Sequence, residues 1–453
     1  MDQPEGKRLR LSEVLGALSH ALDLTEGQPE GHCERCAYIG VHVGRALGLD
    51  EAAIADLYYT ILLKDLGCSS NAARICQLYL TDDRQFKRDF KHIDGSLPQV
   101  LRFVLSHTAL KAGLTERFRT LINIVQNGGR IAREMIETRC QRGAQIARRM
   151  HFSEAVAAGI QALDEHWDGT GQPDRLVGPA IPLNARIALL AQIVDVFHLA
   201  GGRAAAEREV FNRAGTWLDP DVVTAFGHVV SDPNFWPIFE AGPISELLWA
   251  LEPKQAEVFV DDDYLDDIAA AFAQVIDAKS PYTSGHSERV TLFTDLIAEE
   301  LGVEPEKRRW LKRAALLHDI GKLGVSNSIL DKPAKLDDAE WAEMRQHAAH
   351  SERILSRIDA FRDLAPIAGA HHERLDGKGY PRGLMGDQIA FETRIITTAD
   401  IFDALTAERP YRAAMPISKA LGIMAGDVGT ALDPACFAAL TRARARSDDK
   451  VAA

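Results

Sequence analysis

The chemistry that this chain could perform is concentrated in histidines and aspartates of its second half. An adjacent pair, His318 and Asp319, ends an apolar stretch and is followed by Gly321. Together with residues spaced on either side of this pair, the candidate metal ligands are His286, His318, Asp319, His347, His371, His372 and Asp400. Imidazoles and carboxylates together suit divalent Fe, Mn or Zn. Because an aspartate can bridge two ions, and two bridged ions can clamp the attacking and leaving oxygens of a phosphoryl transfer, the pattern predicts a two-metal phosphohydrolase site.

Three separated motifs connect this pattern to a known family. They are His318-Asp319-Ile320-Gly321-Lys322, His371-His372-Glu373 and Gly379-Tyr380-Pro381. Over residues 277 to 434 the chain resembles the HD-GYP family of cyclic di-GMP phosphodiesterases, a branch of the HD superfamily of metal phosphohydrolases. The resemblance implies that the chain hydrolyses the 3′–5′ phosphodiester of cyclic di-GMP to linear pGpG, or further to GMP, in bacterial second-messenger signalling.

The resemblance also implies a metal stoichiometry. It assigns two divalent ions, Fe or Mn, to the seven candidate ligands, with Asp319 as the bridge and a metal-activated water as the nucleophile. Some family members carry a glutamate four residues before the first ligand histidine and bind a third metal. Because Tyr282 stands at that position here, we expect two metals and a linear dinucleotide product.

Three basic residues are expected to contact the phosphates of the substrate. Lys322 follows Asp319 by three residues, within reach of a non-bridging phosphate oxygen, and is expected to act in catalysis together with Asp319. Arg409 and Arg412 follow the last ligand and are expected to hold the phosphates, because arginine matches phosphate bidentately.

The Gly-Tyr-Pro motif is expected to form part of the substrate-binding surface. Gly379 lets the backbone approach a ligand closely, and Pro381 restricts the exit of the turn. Between them, Tyr380 is expected to stack on guanine or to hydrogen-bond to a phosphate.

The first half of the chain repeats the pattern of the second half without its ligand set. For example, Gly31-His32-Cys33-Glu34-Arg35 matches Gly285-His286-Ser287-Glu288-Arg289. At the seven ligand positions the first copy has His32, Lys64, Asp65, Arg139, Leu163, Asp164 and Gln192. Because lysine and arginine offer a metal no lone pair, we predict a metal-free copy in which Asp65 pairs with Lys64 or Arg139.

Apolar residues recur mostly at helical spacing, and Asp337 with Glu340 resembles a capping box that opens a helix. We therefore predict an all-α protein of two tandem HD-type helical-bundle domains, a degenerate one over residues 1–256 and the metal phosphohydrolase over residues 257–453. The first contains a helical insertion at about residues 75–136. Within it, the mixed-charge run 82–89 predicts a solvated helix face, and residues 126–129 predict a loop around Gly128 and Gly129. A dimer contact and a lid are both open as roles of the insertion.

Composition restricts the classes of partner. The net charge of −13 disfavours binding to a nucleic-acid polymer, whose phosphates attract excess Lys and Arg. No apolar run predicts a membrane span, and the polar N-terminus does not resemble a signal peptide, so we expect a cytoplasmic protein. The six cysteines lack disulfide spacing; Cys33 and Cys36 beside His32 could bind zinc, but packed helical cysteines explain them better.

Two other functions remain open at this point. The second domain could act on another cyclic dinucleotide or on a nucleotide, or the chain could be a non-catalytic dinucleotide-binding signalling module. The complete ligand set favours an enzyme, since the first copy shows what loss of ligands looks like. A homodimer is a further expectation.

Overall fold

The computed structural model describes residues 11–93, 96–109, 113–241, 251, 260–408 and 413–452. Contacts within the chain divide it into two units, Met1–Tyr264 and Leu265–Ala453. The predicted boundary between residues 256 and 257 lies in the range 252–259, outside the described residues. The described residues form helices and, in place of sheets, only isolated β-bridges, which confirms the all-α prediction.

The first unit is built around α2, which lies against α3 and α9. Its helices are α1 (Leu11–Thr25), α2 (His32–Ala46), α3 (Glu51–Leu62), α4 (Ala72–Tyr79), α5 (Asp83–Phe90), α6 (Leu97–His107), α7 (Leu114–Arg149), α8 (Glu154–Gln161), α9 (Leu183–Asn212), α10 (Pro220–Val230) and α11 (Phe235–Ala241). Gly31, which precedes α2, has a φ of 81°, a left-handed conformation that glycine adopts without strain.

The predicted insertion forms helices with a small apolar core of their own. Residues of α4 to α7 supply this core, including Phe86, Phe103, Ile124 and Ile131. The predicted loop at residues 126–129 is wrong, because α7 continues through it. Ile124 and Ile131 are buried on either side of the two glycines, and this tertiary packing outweighs the low helix propensity of glycine.

The mixed-charge helix α5 is also less solvated than its composition predicts. Asp83 and Lys87 are buried, although each carries a charge. Lys87 donates hydrogen bonds to the carbonyl oxygens of Thr25 and Cys68 and lies 3.4 Å from a carboxylate oxygen of Glu26. These partners replace the lost water, so the interpretation of the run as a solvated face is wrong for its inner side.

One helix, α9, is long and apolar enough by length and composition to cross a membrane, with a mean hydropathy of 1.4 over its most apolar window. About half of that window, 56%, is buried inside the first unit. The helix is interrupted at Gly201 and Gly202, and its Asp195 forms a buried ion pair with Arg35. These features are those of the core helix of a folded domain.

The second unit repeats this arrangement, with α13 lying against α14 and α18. From the boundary onward the helices are α12 (Asp262–Asp277), α13 (His286–Glu300), α14 (Pro305–Leu317), α15 (Asn327–Leu330), α16 (Asp338–Leu355), α17 (Ala365–Gly369), α18 (Phe391–Thr406), α19 (Ile417–Gly426) and α20 (Pro434–Ala452). The capping box predicted at Asp337 and Glu340 is present at the start of α16. A 3-10 helix, Ile320–Gly324, follows α14 and packs against α16.

Candidate metal centre

Four helix ends and two helix interiors bring the seven candidate ligands together in the second unit. His286 is the first residue of α13, and His318 and Asp319 lie between α14 and the 3-10 helix. The others lie in α16, just after α17, and in α18; they are His347, His371, His372 and Asp400. All are buried except His372, which is partly exposed.

Gly321 fixes the distance between the His-Asp pair and α16. A Cβ at this position would lie 2.0 Å from the carbonyl oxygen of His347 and 2.6 Å from the backbone nitrogen of Ser351. Its own backbone N–H donates to the hydroxyl of Ser351 at 2.9 Å. Only glycine allows this approach, and the approach places Asp319 beside His347.

Four of the five histidines have one ring nitrogen held by a hydrogen bond. The Nδ1 atom of His286 lies 2.7 Å from an oxygen of Asp403, and the Nδ1 atoms of His318, His347 and His371 lie 2.5–2.7 Å from backbone carbonyl oxygens three residues earlier. A histidine that donates through Nδ1 presents the lone pair of Nε2. In each of these residues Nε2 faces the centre of the cluster.

The two carboxylate oxygens of Asp319 divide the histidines into two groups. Oδ2 lies 3.3 Å from the Nε2 atoms of His286 and of His318, and Oδ1 lies 3.5 Å and 3.6 Å from those of His347 and His371. Asp400 completes the first group, and His372 completes the second. In each group the ligand atoms lie within 4.8 Å of one another.

The unsatisfied atoms of the site are those that a metal would bind. The Nε2 atoms of His286 and His318 and the Oδ1 atom of Asp319 are buried without a hydrogen-bond partner. Buried polar atoms are normally paired, so such a concentration in one place needs an explanation. Nitrogen and carboxylate oxygen donors in two sets with one shared carboxylate fit a pair of divalent cations.

The electrostatics of the cluster fit the same interpretation. Burial lowers the pKa of His347 to about 3 and that of His372 well below its ordinary value, so both are neutral ligands at pH 7. Burial opposes the charge of Asp319, but His318 and Lys322 outweigh it and hold its pKa well below the usual range. Burial also opposes protonation of His286, yet the adjacent carboxylates of Asp319 and Asp403 raise its pKa to about 9. The carboxylates of Asp319 and Asp403 thus strongly favour a positive charge at the position of His286.

Of the predicted substrate-contacting residues, Lys322 and Tyr380 contact candidate ligands, whereas Gly379 packs against the backbone. The ammonium group of Lys322 contacts Oδ2 of Asp319. The ring of Tyr380 stacks on that of His372, with centroids 4.7 Å apart, and Tyr380 is partly exposed. Gly379 packs closely on the backbone of residues 372–374, where a Cβ would lie 2.5 Å from Arg374 N, so its close approach is to the protein itself.

The remaining predicted contacts are Pro381, Arg409 and Arg412. Pro381 is exposed next to Tyr380. Arg409 and Arg412 lie outside the described residues.

An outer network of hydrogen bonds holds His286 in place. Asp403 accepts from His286 and also from Arg289, at 2.6 Å from its Nε atom. The internal repeat of the sequence could have identified this network, because the first unit has the same three residue types at the matching positions. There His32 Nδ1 lies 2.6 Å from Asp195, and Arg35 binds the same carboxylate.

At the matching centre of the first unit, a lysine ammonium lies among the remaining ligand types. Lys64 Nζ contacts Oδ2 of Asp65 and lies 3.1 Å from Nε2 of His32 and 3.2 Å from Oε1 of Gln192. Burial opposes its charge, but Asp65 outweighs burial and raises the pKa of Lys64 well above its ordinary value. The pKa of His32 is lowered to about 4, mainly by burial, so its Nε2 is free to accept from Lys64.

The other predicted partner of Asp65 lies elsewhere. Arg139 forms an ion pair with Asp164. The thiols of Cys33 and Cys36 are buried, which raises their pKa values well above the ordinary range and disfavours the thiolate form that zinc requires.

Backbone contacts around the two centres also correspond. A Cβ at Gly67 would lie 1.9 Å from the carbonyl oxygen of Arg139, and one at Gly321 would lie 2.0 Å from that of His347. The carboxylate of Glu165 accepts backbone N–H groups of residues 174–176, and Glu373 accepts those of residues 382 and 384. The first unit therefore has the local geometry of the second around a different set of central residues.

Comparison with known proteins identifies the family. A family model described as "HD domain" matches residues 96–222 and 270–436. A 3′3′-cGAMP-specific phosphodiesterase of Vibrio cholerae is 56% identical over 433 residues, which are 96% of this chain and 94% of that protein.

Two further matches extend the comparison. A solved structure of a cyclic GMP-AMP specific phosphodiesterase from V. cholerae has 50% sequence identity and a TM-score of 0.66, and the match covers 96% of this chain and 98% of that one. A cyclic di-GMP phosphodiesterase response regulator of Xanthomonas campestris pv. campestris is 41% identical over 38% of this chain and 47% of its own length. The family resemblance inferred from the three motifs is thereby confirmed, and the chain belongs to the HD domain family.

Proposed function

We propose that the second unit is a metal-dependent phosphodiesterase that opens cyclic dinucleotides at a 3′–5′ phosphodiester bond. The observation that carries the proposal is the position of Asp319, whose two oxygens each face a separate group of histidines. One carboxylate shared between two ligand groups is the arrangement that two-metal phosphoryl transfer uses.

The ligand residues would hold two divalent cations, with Fe or Mn as the first choices for this mixture of imidazole and carboxylate. When bound, such ions supply Lewis acidity, which activates water and neutralises charge on the phosphate. His286, His318 and Asp400 would hold one ion, and His347, His371 and His372 the other, with Asp319 between them. Tyr282, at the position of the glutamate associated with a third metal, supports two ions and a linear product.

The chain's own residues supply orientation and charge around the phosphodiester. The ammonium group of Lys322 lies against Asp319, from where it can reach a non-bridging phosphate oxygen. Burial, with the charges of Asp319 and Asp400, raises the pKa of Tyr380 well above its ordinary value, so its hydroxyl stays protonated and can donate to a phosphate oxygen. Arg409 and Arg412 remain candidates for the second phosphate.

The choice of cyclic dinucleotide is the finer part of the proposal. Cyclic di-GMP is the substrate expected from the motifs, whereas the relative with 56% identity is named for 3′3′-cGAMP. High identity over nearly the whole of both chains favours 3′3′-cGAMP as the preferred substrate, with cyclic di-GMP as the second candidate. A cytoplasmic location would give access to either messenger, and a homodimer stays a prediction.

Hydrolysis by the full-length chain loaded with Mn(II) tests the proposal. Turnover of 3′3′-cGAMP and of cyclic di-GMP should yield linear dinucleotides, resolved by chromatography. Asp319→Asn should reduce turnover at least about 100-fold, since even residues that only orient metal ligands contribute 10- to 100-fold.

The matched control is Asp65→Asn, the same change at the matching position of the first unit, with folding of both variants checked by circular dichroism. Metal-loaded protein that hydrolyses neither substrate would contradict the proposed enzyme. Such a result would favour the dinucleotide-binding module instead.

For the first unit we propose a metal-free copy of the same fold, in which the ammonium group of Lys64 supplies the positive charge. The support is its position among His32, Asp65 and Gln192, three of the matching ligand positions. Such a unit can support, regulate or dimerise the second without performing chemistry. Metal analysis of the triple variant His318→Ala, Asp319→Asn and His371→Ala tests this, because it removes ligands from both groups, and a chain that binds metal through the second unit alone should then lose its bound metal.

A further inference from the structure

A row of flat side chains leads from the candidate metal centre to the surface of the second unit. It begins with the rings of His372 and Tyr380, stacked at 4.7 Å with an interplanar angle of 30°. The guanidinium group of Arg345 lies 5.7 Å from the centroid of Tyr380 and 5.5 Å from that of Trp341. Trp341 ends the row and is 43% exposed.

The row follows from residue spacing on α16. Trp341 and Arg345 are four residues apart, so they lie on one face of the helix. Tyr380, whose ring stacks on the candidate ligand His372, lies against Arg345. Arg345 lies against two aromatic rings. These contacts restrict its planar guanidinium group more than solvent restricts that of an exposed arginine. A flat cation and a flat apolar surface are therefore presented side by side next to a metal ligand.

The guanidinium group of Arg345 contacts aromatic rings rather than carboxylates. Among the residues that the structure describes, no carboxylate lies in ion-pair range of its guanidinium group, whereas nearby Arg382 is paired with Glu352 at 3.0 Å. Arg345 lies beside the candidate metal centre and has no carboxylate partner among the described residues. Its guanidinium group can therefore offer hydrogen-bond donors to a ligand.

We infer that Trp341 and Arg345 form a guanine-binding platform for one base of the substrate, an inference that rests on the proposed function. The bases of a cyclic dinucleotide project outward from the phosphodiester ring, so a phosphodiester at the metal centre directs a base along this row. The O6 and N7 atoms of guanine are two adjacent acceptors that match the fork of Arg345, and the indole of Trp341 offers a stacking surface. Adenine has a donor in place of O6, so the same fork selects guanine.

The chain contains a matched control for these residues. On α14, Lys307 lies 3.8 Å over the ring of Trp310, another pairing of a cation with an indole. Trp310 precedes His318, the residue that follows α14, by eight residues, which places it about 12 Å along the helix from the His-Asp pair. Its replacement tests whether any tryptophan loss in this unit has the same effect.

The first measurement is binding. Calorimetry on the full-length Mn(II)-loaded chain would use a phosphorothioate analogue of 3′3′-cGAMP, which resists hydrolysis. Trp341→Ala and Arg345→Ala should each raise Kd about 5- to 100-fold, the range found for loss of a stacking or bidentate base contact, whereas Trp310→Ala should leave Kd unchanged. Trp341→Phe should restore most of the affinity, because stacking needs only a flat ring.

The second measurement is turnover. Trp341→Ala should raise KM for 3′3′-cGAMP with kcat within about threefold, as expected for lost ground-state binding. The ratio of kcat/KM for 3′3′-cGAMP to that for bis(4-nitrophenyl) phosphate, which has no purine, should fall by the same factor as the affinity. Arg345→Ala should also narrow the difference between cyclic di-GMP and cyclic di-AMP.

The two measurements separate this inference from the proposed function. Wild-type binding that the variants weaken, without any turnover, would keep the platform and contradict the phosphodiesterase. Turnover whose KM the variants leave unchanged would keep the enzyme and overturn the platform. An equal loss for the purine-free ester would also overturn it, because the residues would then act through the metal centre.

Discussion

The buried ion pair of Lys64 and Asp65 makes a strong prediction about the stability of the first unit. The Lys64 side chain is fully buried, and that of Asp65 is 2% exposed. Lys64→Met keeps most of the apolar stem but removes the ammonium group. Asp65 then remains in the core without the cation that contacts it, and Nε2 of His32 loses the donor at 3.1 Å.

Breaking a buried ion pair by removing one partner costs about 3–5 kcal/mol, because the other charge remains desolvated and unpaired. One kcal/mol corresponds to a Tm change of about 2–4 °C in a domain of this size, so Lys64→Met should lower the Tm of the first unit by about 6–20 °C. In the double variant with Asp65→Leu, much of this loss should be recovered. Replacing both charges by apolar side chains removes the desolvation cost altogether.

Differential scanning calorimetry can assign the transitions, since added Mn(II) should raise only the Tm of the unit that binds it. The metal-independent transition then reports on the first unit. Arg130→Met provides the control, because Arg130 and Glu134 form an exposed ion pair in the same unit and its loss should shift Tm by less than about 2 °C. A Lys64→Met variant as stable as the wild type, or a double variant no more stable than the single one, would refute the reasoning.

Three further predictions follow from the same two centres. Combining Lys64→His with Gln192→Asp should add about one bound Mn(II) per chain, measured by elemental analysis, because it restores a four-ligand set; an unchanged metal content would show that the first unit lacks the required geometry. Gly321→Ala should destabilise the metal-dependent transition by about 1–3 kcal/mol in urea, since its Cβ would lie 2.0 Å from the carbonyl oxygen of His347, and a neutral result would mean that the backbone yields. Burial opposes the charge of Glu26, but neighbouring lysines outweigh it and lower its pKa to about 2, so its contribution to stability is complete above its ordinary pKa of 4.5 and is lost as pH falls through about 2. Glu26→Gln should therefore flatten the decrease in urea midpoint of the metal-independent transition between pH 5 and pH 2, and an unchanged slope would contradict this assignment.

The sequence was most informative where a residue type can serve few purposes. Seven histidines and aspartates in separated motifs predicted the cluster that the fold assembles, because imidazole and carboxylate together suit few roles other than metal binding. The all-α class followed from apolar periodicity, and the capping box at Asp337 from local hydrogen-bond chemistry. Both are short-range properties.

Long-range packing accounts for what the sequence did not predict. The glycines at 128 and 129 predicted a loop, but burial of residues on either side keeps them helical. Lys87 was assigned to a solvated face, but the carbonyl oxygens that receive its hydrogen bonds belong to residues 19 and 62 positions away. Arg345 attracted no interpretation, because its significance depends on Tyr380, which follows 35 residues later. In each case the deciding partner is distant in the chain.

Comparison of the two units distinguishes the contacts that build the fold from those of the proposed metal centre. The triad of His286, Asp403 and Arg289 joins α13 to α18, and the corresponding triad in the first unit joins α2 to α9 with nearly the same distances. This outer network persists where the metal ligands do not, so its first function is to hold two core helices together. What the centre requires in addition is positive charge to offset a buried aspartate. In the second unit His286 and Lys322 contact that aspartate and cations would complete the compensation, whereas in the first unit Lys64 can supply it from within the chain. A lysine at the position of the first histidine of the His-Asp pair is therefore a physically sufficient reason for a stable fold without a metal.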